Sequence, residues 1–291
     1  MPATAGELVQ GMIEGVHVHV SAPIDWYVVA EFVLDEGPLR VPPGRPKVGA
    51  ALRALVARRQ LPATGEARLR STVPPGKGLG SSTADVGAAL FALAAAHGIT
   101  LASEEAARIA LTVEPTDGSL FPGIVAFDHR EGRWFEALGD PPPVVIVLLD
   151  PGGTVDTVAY NAVDRSAVLR RNEPRTREAL AMARAAMRAG DVALLGAAAT
   201  LSAMTHQPVL PKPLLGPAIA AAREVGAAGV CVAHSGTAVG ILLDARRADA
   251  EAARAWVTRR LACPARLVRL VSGGPRFSRR EVATRSLLPV S

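Results

Sequence analysis

The stretch PPGKGLGSSTAD, residues 74–85, constrains this chain more than any other segment. An alternating run, ARLRSTV (67–73), leads into it, and an alanine-rich run leads out. In that second run Val86, Leu90, Leu93 and His97 recur at helical spacing, and Gly98 supplies a stop. A strand, a glycine loop and a helix N-terminus in this order form a cradle for an anion. The first amides of a helix lack partners within it, and the macrodipole places partial positive charge at the same end. Glycines let the backbone approach a phosphate closely, and Ser81 and Ser82 add hydroxyls for phosphate oxygens or a magnesium ion. The predicted phosphate site is therefore Pro75, Gly76, Lys77, Gly78, Leu79, Gly80, Ser81, Ser82 and Thr83. The side chain of Lys77 either touches phosphate or faces solvent from the loop. Neither common glycine signature fits. The Walker order ends in Gly-Lys-Ser/Thr, whereas Lys77 precedes Gly80-Ser81, and the dinucleotide order needs glycine where Thr83 stands.

The rest of the chain surrounds this unit with mixed elements. VHVHV (16–20) and WYVVAEFVL (26–34) read as strands, and ALRALVARR (51–59) has helical spacing. Ser103 is placed to cap a helix ending near Glu114-Pro115, and residues 123–138 read as a hairpin turning at Glu131-Gly132. The proline run 141–143, then VVIVLL (144–149), then a Pro-Gly turn mark a boundary, giving expected units 1–150 and 151–291. Beyond it, Pro174 is predicted in the first turn of a helix ending at Gly190, and Asp191 caps the next. GVCVAHSGTAVGILLD (229–244) is a strand, a small-residue loop and a strand, and ARLVRLVS (265–272) is another strand. Without a clean strand–helix alternation, this order predicts an α+β fold.

Composition narrows the functions. The formal charge of +5 would suit nucleic acid, but the arginines are dispersed and aromatics make up only 4%. No nucleic-acid partner is expected, and a mild positive field suits an anionic small molecule. No apolar run reaches the length of a membrane span, and the N-terminus lacks the charge and apolar regions of a signal peptide. Cys231 and Cys263 have neither metal nor disulfide spacing, so a cytoplasmic location is expected.

PPGKGLGSSTAD closely resembles the central phosphate-binding motif of the GHMP kinases, the group named for galactokinase, homoserine kinase, mevalonate kinase and phosphomevalonate kinase. PATAGELVQG (2–11) resembles that family's N-terminal motif, and VCVAHSGTAVGILLD (230–244) its C-terminal glycine loop. The resemblance implies a two-lobed α+β fold, with a ribosomal S5-like N-terminal lobe and a ferredoxin-like C-terminal lobe. It also implies ATP as phosphoryl donor and Mg2+. With SAPIDWY (21–27) and EPTDGSLFPGIVAFDHREG (114–132), the chain is similar to the branch that phosphorylates L-threonine for cobalamin synthesis. That resemblance implies a small hydroxy amino acid as substrate. Homoserine, serine or another small alcohol, or a nucleotide-binding regulator without turnover, stand as alternatives.

Specific residues follow. Asp117, among small and apolar neighbours, is the candidate to take the hydroxyl proton, though Asp117-Gly118 also suits an Asx turn. Ser82 and Glu114 are candidate magnesium ligands, Ser82 serving the catalytic step as well. Glu7 and Asp25 are the carboxylates available to an acceptor ammonium, or else surface acids beside turns. Ser235 and Gly236 are candidates to close over the phosphates or the acceptor. His17 and His19 share one strand face, one route to zinc ligation, but no third ligand lies near in sequence.

Overall fold

The computed structural model describes residues 1–155 and 163–278. Its largest feature is an eight-stranded sheet in the order β10-β7-β9-β8-β1-β2-β5-β6. β1 (Pro2–Ile13) and β2 (Val16–Tyr27) form a long hairpin, β5 (Ile124–Asp128) and β6 (Phe135–Gly139) extend it on one side. On the other side lie β8 (Gly229–Val232), β9 (Val239–Asp244), β7 (Val144–Leu149) and β10 (Ala265–Arg269). The pairings are antiparallel, and β1 meets β8 at Glu7 and Val232. A separate ribbon pairs β3 (Val29–Pro38) with β4 (Thr64–Arg70).

No alternation marks β1 in the sequence. Its residues through Met12 are buried, since the strand is sandwiched between helices, and a strand covered on both faces has no reason to alternate. α4 (Ser166–Ala189) and α5 (Val192–His206) pack against it from the second half of the chain, and α2 (Ser81–Ala96) from the first. α1 (Pro46–Arg59) and α3 (Ser103–Leu111) pack on α2. α6 (Leu215–Glu224) and α7 (Ala250–Leu261) cover the β7–β10 end. VVIVLL is the buried strand β7, as its composition predicts.

Two helix starts differ from expectation. Ser103 is the first residue of α3, and the cap position is Ala102 with no side-chain bond. Pro174 lies inside α4, which already begins at Ser166. A mid-helix proline loses one backbone bond, but the face carrying Leu169, Ala179, Leu180, Ala183, Ala186 and Met187 is buried and holds the helix across it. Asp191 caps α5 as expected, its Oδ1 accepting from the Leu194 amide at 3.0 Å.

Candidate active site

The glycine loop bridges β4 and α2. Gly78 and Gly80 have φ of 75° and 61°, in the left-handed region. That geometry disfavours any side chain, and space excludes one as well. A Cβ on Gly78 would collide with the Ala233 side chain, and one on Gly80 would sit 2.7 Å from Asp117 Oδ2 and 2.8 Å from Thr4 Oγ1. The loop is braced from both ends of the chain. Thr4 N donates to Leu79 O at 2.9 Å, and Ala238 N donates to Lys77 O at 3.2 Å. The three segments singled out in the sequence thus converge on one loop.

A cleft of about 420 Å³ opens over it, lined by Pro75, Gly76, Gly78, Gly80, Ser81, Ser82, Thr83, Glu114, Asp117 and Ser235. Two residues of the predicted phosphate site do not line it. Leu79 is buried in the core and serves through its carbonyl. Lys77 turns away, its Nζ donating to Asp150 Oδ1 at 2.8 Å, because that acid draws the ammonium off the cleft. The positive charge facing the cleft comes instead from Arg45, which pairs with Asp85, and Lys47, which pairs with Glu114.

Behind the loop the acids gather. Ser82 Oγ donates directly to Glu114 Oε1, so the two expected magnesium ligands touch. The Asp117 amide donates to Thr83 Oγ1 at 3.2 Å, which orients the residue. Burial and then the Glu114 charge push the Asp117 carboxyl up to about 6. Glu7 is buried beside it on β1, and burial and then the Asp117 charge raise it well above the usual carboxylate range. Its Oε2 has no hydrogen-bond partner. The hydroxyl and carboxylate oxygens of Ser82, Glu114 and Asp117 are the hard donors that Mg2+ takes.

Glu7 and Asp117 line a small cavity of about 70 Å³ with His19, His129, His234 and Ser235, and Asp117 and Ser235 also line the cleft. Gly236 presses on Gly78, and its carbonyl accepts from buried Lys212 Nζ at 2.6 Å. Asp25 is not part of this group. It lies exposed at the end of β2, where its Oδ1 accepts from the Arg269 amide at 2.8 Å. The β1–β2 register sets Glu7 opposite Ser21 and leaves Asp25 further along the hairpin.

Comparison with known proteins agrees with this geometry. Residues 47–123 match the GHMP kinases N terminal domain, and residues 183–262 match GHMP kinases C terminal. The chain is 34% identical to an L-threonine kinase of Citrobacter freundii, over 94% of this chain and 96% of that one. It is also 34% identical to the L-threonine kinase of Salmonella typhimurium, over 85% of this chain and 83% of the relative. The chain belongs to the GHMP kinases. Its fold also matches a homoserine kinase from Cytophaga hutchinsonii (TM-score 0.72, 16% identity, 94% of each chain covered). The mevalonate kinase of L. major matches with a TM-score of 0.67 at 16% identity, over 94% of this chain and 99% of that one.

On this GHMP kinase frame the histidines show what linear reading missed. His19 stacks on His129 with ring centroids 3.5 Å apart, and His234 meets His19 edge-on at 4.3 Å. The partners absent from the neighbourhood of His19 in sequence arrive from the turn after β5 and the loop after β8. Burial first, with neighbouring positive groups, holds all three well below the usual histidine range, so they are neutral. Among the described residues no helix is long and apolar enough to cross a membrane.

Proposed function

We propose that this GHMP kinase transfers the γ-phosphoryl group of ATP to the side-chain hydroxyl of L-threonine, giving ADP and O-phospho-L-threonine. The observation that carries the reading is buried Glu7 beside half-buried Asp117, set in a small cavity that opens onto the glycine loop. The names of the two relatives reported above agree with it.

Each residue then has a task. The loop amides and the N-terminus of α2 hold the donor phosphates in the cleft. Asp117 accepts the threonine hydroxyl proton as the oxygen attacks phosphorus in line. A carboxylate that titrates near neutrality suits a general base. Glu7, whose basic neighbour is the neutral His19 ring with Nδ1 3.8 Å from Oε2, is completed by the acceptor ammonium, whose charge keeps Glu7 ionised. Ser235 stands between cleft and cavity to close over the reacting groups, with Gly236 setting its loop against Gly78. Ser82 and Glu114 would hold Mg2+, which when bound neutralises charge on the phosphates. The contributing residues come from both proposed units, 1–150 and 151–291, so the reaction needs both.

The test is ADP release with magnesium and ATP across a panel of acceptors. The expected order of kcat/KM is threonine, then serine about 10–200-fold lower for the missing methyl. Threonine amide and simple alcohols fall far below. Homoserine carries its hydroxyl one carbon further out and misses in-line alignment. A sugar, mevalonate or homoserine ahead of threonine would replace the substrate, and absence of turnover with any acceptor would leave a nucleotide-binding regulator.

A further inference from the structure

We propose that Arg130 holds the α-carboxylate of the amino-acid acceptor, where the small histidine cavity meets a second cavity beside it. This rests on the amino-acid reading of the acceptor above. The second cavity, about 250 Å³, is lined in part by His17, Arg130, Leu169 and His234, and His234 lines the first cavity too.

Among the described residues Arg130 has no acid bonded to it, although Asp164 in the same cavity feels its charge. Its Nε is buried without a hydrogen-bond partner, and among the described residues it forms no ion pair. The neighbouring acid is already engaged. Asp128 is fully buried and accepts from the amides of Arg130 (3.4 Å), Glu131 (3.3 Å) and Arg133 (3.3 Å), and from Arg133 Nε at 3.1 Å. That clamp fixes the turn carrying Arg130 and spends the carboxylate on Arg133. Asp164, in the same cavity, accepts from the Ser166 amide at 2.8 Å. A buried guanidinium donor with no acceptor is costly, and a carboxylate is the planar acceptor its fork matches.

The histidines point the same way. Donor atoms of His19, His129 and His234 lie within 4.8 Å of one another, close enough to suggest a metal. However, the His19 and His129 rings face each other at 3.5 Å and 7°, so their in-plane lone pairs run parallel and do not converge on one ion. The Arg130 charge, felt by His17, His19, His129 and His234, opposes a cation further. What remains is a pair of adjoining cavities with the acids Glu7 and Asp117 at one end, neutral rings between, and the guanidiniums of Arg130 and Arg165 at the other beside the single carboxylate of Asp164. Its polarity is that of a zwitterion with ammonium and hydroxyl towards the acids.

The test compares full-length wild type, Arg130→Met and Arg130→Lys on L-threonine and on 1-amino-2-propanol, which is threonine without its carboxylate. Wild type should prefer threonine by about 10²-fold or more, the scale of an unpaired buried charge. Arg130→Met should erase that preference by raising the threonine KM, with the KM for ATP and turnover of 1-amino-2-propanol unchanged. The thermal upshift caused by threonine with a non-hydrolysable ATP analogue should vanish with it. Arg130→Lys should fall between, and carries the test if the methionine variant does not fold. Preference retained in the variants, or both acceptors lost together, overturns the proposal. If wild type phosphorylates another hydroxy amino acid but not threonine, the substrate reading fails alone, and Arg130 is judged on that acid against its decarboxylated form. Wild type indifferent to the carboxylate of every acceptor overturns Arg130 as well.

Discussion

Asp117 and Glu7 have similar surroundings but opposite expectations. Asp117 is held at about 6, so it gains base character as pH rises through that value. Turnover should climb across pH 6 and level off above it. Asp117→Asn should lower kcat by about 10²–10⁴-fold, abolish that acid limb, and leave the KM for ATP near normal. Turnover within a few-fold of wild type would remove Asp117 as the base. For Glu7 the linkage concerns stability. Its native-state carboxyl is raised well above 4.5, so the unfolded chain releases that proton first as pH rises. The unfolded state then binds fewer protons, and stability falls with pH above 4.5. Glu7→Gln removes this burden. Its Tm should exceed that of wild type by a margin that grows from pH 5 to pH 8, while kcat/KM for the acceptor drops because the ammonium loses its counter-charge. A lower Tm at pH 8 would show that Glu7 is paired within the protein itself.

At the scale of elements, the glycine loop and the loop between β8 and β9 act as one unit. From the loop alone, Gly78→Val would be expected to block phosphate approach and spare the fold. The structure revises this, because the new Cβ would strike Ala233 on the other half of the chain, at a φ of 75°. The expected outcome is loss of ATP binding together with a lowered Tm, measured by calorimetric titration and thermal melting. Undiminished ATP affinity would refute the phosphate role. The α5 cap is a separate case. Asp191→Ala removes the bond to Leu194 N and should cost about 0.5–2 kcal/mol. The ATP and acceptor KM values should not move, since Asp191 lies outside the cleft and both cavities.

At the scale of the molecule, β7 precedes residue 150 in the chain but lies in the sheet between β10 and β9. A fragment ending at residue 150 would carry β7 without either neighbour, and β1 without β8 at its edge. The full chain is therefore expected to unfold in one calorimetric transition, with matching calorimetric and van't Hoff enthalpies. Residues 1–150 alone should show no cooperative melt. An independently melting fragment would establish that unit as autonomous.

Much of this was legible because it depends on local order. The strand–loop–helix around Gly78 and Gly80, the apolar run that became β7 and the Asp191 cap each follow from spacing and residue type over a few neighbours. The segments of the loop, Glu114 and Asp117 could be named together because their motif is long. Other features depend on which distant parts of the chain meet. β1 carries no alternation because both its faces are covered. Asp25 and Glu7 look alike as acids beside turns, and only the β1–β2 register buries one and exposes the other. Lys77 could be read in sequence as a phosphate contact or a solvent-facing lysine, and its ion pair with Asp150 comes from across the fold. The cavity that would receive the acceptor takes its rings from β2, the turn after β5 and the loop after β8. Sequence alone determined the glycine loop ahead of α2 and the fold class, since hydrogen-bonding needs and periodicity are local. Tertiary structure decided the cavity proposed for the acceptor, since burial and charge pairing are set by groups far apart in the chain.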